Sequence, residues 1–166
     1  MISIKNNIEA KAGKPEIWEL FTRLNELYPG LSKNHVSLKC IEGIPNKIGS
    51  VYKVKNHFKG KILEVKYKLT EVVENERIAY EAEFPHALLG LKLKLNLEAK
   101  GDSSIIFEEI RFGTSIPLFD KLFDAILQIY LHTNLDIINE DQKDRLKGIR
   151  KFFEKQPEKV EVVVEH

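Results

Sequence analysis

Cysteine occurs once in this chain, at Cys40. A single thiol forms no internal disulfide and builds no cysteine-based zinc site. The simplest expectation is a reducing, cytoplasmic home, with Cys40 an inert packing residue. An excess of one charge is also missing, since the formal net charge is +1. Bulk nucleic acid and anionic membranes both call for a clear positive excess, so neither is an expected partner. Long apolar runs are missing too. The most apolar stretch, ALLGLKLKLNL, is interrupted by Lys92 and Lys94 and cannot cross a bilayer as a helix. The opening residues, MISIKNNIEAK, read as a strand and lack the apolar run of a secretion signal. No phosphate loop, dinucleotide fingerprint or serine elbow is present.

What is there suits one soluble domain. The 166 residues are 43% hydrophobic and 31% charged, enough for one real core. The expected domain spans residues 1–156, and 157–166 form a tail. Ile2, Ile4, Ile8 and Ala10 lie on one face of a first strand. Pro15 opens a helix carrying Ile17, Phe21, Leu24 and Tyr28, which Pro29-Gly30 is expected to stop. A second short helix or turn follows. Six more strand-like runs come next. The clearest are Leu63, Val65, Tyr67, Leu69 and, after a turn at Glu74-Asn75-Glu76, Ile78, Tyr80, Ala82, Phe84. Leu89 to Leu97 alternate as well, and Ile106, Ile110 and Phe112 close the set. Short turns between them require antiparallel pairing. On the outer face Lys66 and Lys68 should meet Glu81 and Glu83, which should meet Lys92 and Lys94.

A last helical region is expected from near Pro117, capped by Ser115 or a neighbour, to just before Pro157. Phe119, Leu122, Phe123, Ile126, Ile129 and Tyr130 form one apolar stripe. Leu131, Leu135, Ile138, Ile149 and Phe153 form another, roughly 130° to 150° around the axis. Three readings fit. The helix bends, or two helices meet at an Asn139–Gln142 capping box, or the second stripe packs on another subunit. The last reading makes a homodimer, or an assembly module built on Leu131, Leu135 and Ile138, an alternative to ligand binding.

Three segments carry a family likeness: KPEIWELFTRLNELYPGLSKNHVSLKCIEG, GSVYKVKNHFKGK and YKLTEVVENERIAYE. With the order of elements, they resemble the START-like superfamily of polyketide cyclases and birch-pollen-allergen-like proteins. The resemblance implies an α+β helix-grip fold. A seven-stranded curved antiparallel sheet would wrap around a long C-terminal helix, with two short helices after strand 1. It also implies an apolar cavity for lipids, steroids, aromatics or polyketides, which some members convert. The implied function is binding or transport of a small hydrophobic molecule without a cofactor. The alternative is a cyclase, dehydratase or hydrolase acting on an aromatic substrate.

The inward face supplies the candidates. Tyr52, Asn56, Tyr67, Tyr80, Phe84, Leu93 and Phe112 would face a ligand from the sheet. Phe123, Ile126 and Tyr130 would face it from the helix. Glu108 shares the parity of Ile106 and Ile110, so it should point inward and could serve as an acid or base. The alternative register of IIFEEIRF, or a bulge, would turn it to solvent. A zinc-dependent branch of the superfamily makes His35, His132 and Asp136 formal ligand matches. The strand glutamates expected beside them are missing, with Asn56 and His57 standing near that place. His132 and Asp136 therefore read more simply as an exposed pair one helical turn apart, and no metal is expected. His57 and His86 read as solvent residues.

Overall fold

The structure is a computed structural model describing residues 2–113 and 120–154, with the side chains of 120–124, 126, 127 and 131 excepted. The expected N-terminal cap at Ser115 and the tail at 157–166 lie outside the described residues.

Strand β1, Ile2–Ala10, is followed by helices α1, Lys14–Thr22, and α2, Leu24–Leu31. Then come β2, His35–Glu42; β3, Val51–Phe58; β4, Lys61–Val73; and β5, Arg77–Ala82. A 3-10 turn at His86–Leu89 leads to β6, Lys92–Lys100, and β7, Ser103–Phe112. Helix α3, Asp120–Glu154, closes the described chain. The strands form one seven-stranded sheet in the order β1-β7-β6-β5-β4-β3-β2, antiparallel throughout. The sequential hairpins place β2 to β7 side by side, and β1 returns to pair with β7. Helices α1 and α2 therefore carry the chain from one sheet edge to the other.

The alternating side chains produce the core directly. Val65, Leu69, Ile78, Leu95, Leu97 and Ile106 are buried on one face of the sheet. Ile17, Leu20 and Phe21 of α1 and Leu146 and Ile149 of α3 pack against that face. Each full burial of such a side chain contributes roughly 1.5–3 kcal/mol. On the outer face Lys68, Glu81 and Lys92 are in register, and the Lys92 ammonium lies 2.8 Å from Glu81. Lys94 sits opposite Ala79 instead of Glu83, because the antiparallel register that pairs Glu81 with Lys92 runs the two strands in opposite directions. The alternation read from Leu89 begins only in β6, since Leu89 belongs to the 3-10 turn.

Several expectations change. Pro29-Gly30 does not stop a helix; the break falls at Arg23, and α2 runs through Pro29 to Leu31. Buried Tyr28 and Leu31 hold that turn in place despite the missing N–H. Helix α3 is continuous for 35 residues, roughly 50 Å, so no second helix starts near residue 139. Asn139 and Gln142 are not a cap: both side-chain oxygens accept from the Asn6 amide of β1. The second stripe is used within the chain at its described side chains, which exclude Leu131. Leu135 and Ile138 pack against Ile4, Ile110 and Phe112, which removes them from the assembly surface proposed for them. Ile129 of the first stripe is 73% exposed. Gly148 lets α3 touch α2, since a Cβ there would overlap the Leu31 carbonyl.

Candidate functional site

A cavity of about 200 Å³ lies between the sheet and α3. Its apolar wall comes from the inward side chains of β3 to β7, among them Val54, Leu63, Val65, Leu93, Leu95 and Ile110. The helices add Phe21, Leu24, Leu31 and Ile149. The space matches a small ligand: an apolar hollow of roughly 150 Å³ accommodates a benzene ring.

One part of the lining is charged. Glu108 of β7 is 1% exposed and faces Arg145 of α3. The Arg145 Nε donates to Glu108 Oε2 at 3.2 Å, and a second guanidinium nitrogen donates to Oε1. Asp141, one turn earlier on α3, lies 3.8 Å from the same guanidinium. Asn34 donates to Asp141 at 3.2 Å. Burial pushes the Glu108 carboxyl above the usual carboxylate range, against the opposing pull of Arg145. For Arg145, burial works against the charge, but the combined attraction of Glu108, Tyr28 and Asp141 raises its pKa. The guanidinium stays charged in either case.

Beside this group Tyr28 donates to Asn56 Oδ1 at 2.8 Å. The His35 ring stacks on Tyr28 with centroids 3.8 Å apart and planes 3° apart. Its Nδ1 is 3.0 Å from the Tyr28 carbonyl, which requires the proton on that nitrogen. The buried Nε2 then carries a lone pair with no partner among the described residues. Burial, followed by the Arg145 charge, holds the imidazole at about 4. Tyr67 and Tyr80 also line the cavity, and burial raises both phenols.

No family model and no curated protein matches the chain. Solved structures do. The chain is similar to Ara h 8.0201 at 19% identity and a TM-score of 0.66, over 93% of this chain and 99% of that one. It is similar to major latex-like protein 151 from Panax ginseng at 13% identity and a TM-score of 0.65, over 92% and 97% of the two chains. It also matches the di-domain ARO/CYC StfQ from the steffimycin biosynthetic pathway at 12% identity and a TM-score of 0.67. That match covers 92% of this chain and 50% of StfQ. The fold is a helix grip.

Within the helix grip, Tyr52, Asn56, Tyr67, Tyr80, Leu93 and Phe112 line the cavity from the sheet, and Tyr130 lines it from α3. Tyr52 is tied down: its hydroxyl accepts from the Asn46 backbone N–H at 2.7 Å. Glu108 points inward, as its shared parity with Ile106 and Ile110 requires. Phe84 does not join them. It lies beyond the end of β5, where the strand's alternation no longer applies, and is 75% exposed. Phe123 and Ile126 have side chains outside the described set. His132 and Asp136 are exposed on α3, whereas His35 is buried in β2. Among the described residues no cluster of three or more His, Cys, Asp or Glu could hold a metal. His57 is exposed, as expected, and His86 is half-buried; both border the cavity. Among the described residues no helix is long and apolar enough to cross a membrane.

Sequence reasoning missed Arg145, Asp141, Tyr28 and Asn34. A signal existed for Arg145. The second stripe skips from Ile138 to Ile149, and positions four and seven residues after Ile138 are Gln142 and Arg145.

Proposed function

We propose that this protein binds and carries a small, mostly apolar molecule of one or two rings in the cavity between its sheet and α3. The observation that carries the reading is the hollow itself: apolar walls of about 200 Å³ with a few fixed polar groups. Pocket chemistry of that kind selects a greasy body with one polar handle. The position of Glu108 supports carriage over turnover. Both its oxygens engage Arg145, so the carboxylate is an anchor for the guanidinium and is poorly placed to exchange a proton with a substrate.

Titration with 1-naphthol, a neutral fluorescent two-ring probe, tests the reading. Saturable one-to-one binding is expected, and Leu93→Trp should abolish it by filling the hollow while the protein stays folded by circular dichroism. Absence of saturable binding, or binding untouched by that substitution, would overturn the proposal.

A further inference from the structure

The charges lining the cavity do not balance. Arg145 is the one cation of this group among the described residues, and it faces two carboxylates, buried Glu108 and partly exposed Asp141. With both carboxylates ionised the group carries one net negative charge. With Glu108 protonated it is neutral. In neither state is a positive charge left over for an anionic ligand. The hydrogen-bond inventory points the same way. The Nε and one terminal nitrogen of Arg145 are directed at Glu108. Among the described residues Asp141 has a single close donor, the Asn34 amide at 3.2 Å, while its other oxygen lies 3.8 Å from Arg145. A carboxylate offers several acceptor sites, so Asp141 retains capacity for a donor arriving from the cavity.

We infer that the cavity selects ligands whose polar handle is a protonated amine, held by the Asp141 carboxylate, and discriminates against ligands carrying a carboxylate. The inference rests on the carrier reading above and adds the chemical class of the ligand. The Asp141 side chain is only 22% exposed, so the attraction is screened less than that of a surface pair. A small aromatic amine combines a body that fits the apolar walls with a cation that completes the charge balance. A carboxylic acid of the same size would bring a third carboxylate beside a single guanidinium. A neutral alcohol falls between the two, because it can donate to Asp141 without the Coulomb term.

Three size-matched probes decide the matter: 2-phenylethylamine, 2-phenylethanol and phenylacetate, titrated by calorimetry or NMR shift at pH 7. The amine is expected to bind at least tenfold more tightly than phenylacetate, with the alcohol between. In Asp141→Asn, which keeps a side chain able to meet Asn34, the amine's advantage over phenylacetate should shrink at least fivefold. Phenylacetate binding as well as the amine, or an unchanged ratio in Asp141→Asn, would overturn the inference while leaving the carrier reading in place. If that variant fails to fold, the wild-type ranking alone decides. Failure of all three probes together with 1-naphthol would overturn both.

Discussion

Gln142 donates from its side-chain amide to the main-chain carbonyl of Glu108 at 2.9 Å, and its own oxygen accepts from Asn6. One fully buried side chain thus stitches α3 to two neighbouring strands, β1 and β7. The contact also sets the rotation of α3 about its axis, which brings Arg145 to face Glu108.

The Glu108–Arg145 pair should be costly to break and cheap to replace. Arg145→Leu alone strands a buried carboxylate and is expected to lower unfolding free energy by about 3–5 kcal/mol. The double substitution Glu108→Leu with Arg145→Leu should recover most of that loss. Urea denaturation of the two variants checks it, and a double variant as weak as the single one would contradict it.

Two glycines should respond in opposite directions to the same change. Gly148→Ala places a methyl group on the Leu31 carbonyl and should cost about 1–3 kcal/mol or more. Gly30→Ala, in α2 with nothing within 4 Å of the added carbon, should stabilise by about 0.5–1 kcal/mol. Thermal melting of both variants reads the contrast.

His35 should make stability fall with acid. Its folded value of about 4 is below its ordinary 6.5, so the unfolded chain takes up the proton first. The contribution is complete above pH 6.5, declines as pH falls between 6.5 and about 4, and changes no further below that. The slope contributed by this residue is roughly 1 kcal/mol per pH unit. Comparing denaturation of wild type and His35→Gln across that range isolates it; parallel curves would refute it.

The Tyr67 hydroxyl has no hydrogen-bond partner among the described residues and lines the cavity. Tyr67→Phe should therefore leave stability within about 0.5 kcal/mol of wild type. Binding of 2-phenylethanol is expected to weaken severalfold wherever the ligand hydroxyl uses that phenol. Equal affinity would remove Tyr67 from recognition.

Most of the sheet was legible because a period of two leaves little freedom: a buried Ile106 and Ile110 carry Glu108 inward with them. The rule fails where a strand ends, as at Phe84, because parity has no meaning in a loop. The helix was harder to read. An arginine in a helical stretch rich in Asp, Glu and Lys looks like a solvated residue, and only its fit in the gap of an apolar stripe says otherwise. The change of stripe near residue 131 left a bend, a second helix and a subunit contact all open. A single continuous helix that leaves Ile129 exposed and buries Leu146 and Ile149 produces the same pattern. Asp141 and Asn34 gave no signal, since their partnership joins segments more than a hundred residues apart.

Gly148 lies one helical turn beyond Arg145, at the place where two backbones meet without a side chain between them. The depth to which the guanidinium reaches is therefore metered by a single hydrogen atom. Anything bulkier would lever the helix outward, draw the arginine away from its carboxylate, and admit water to a buried ion pair.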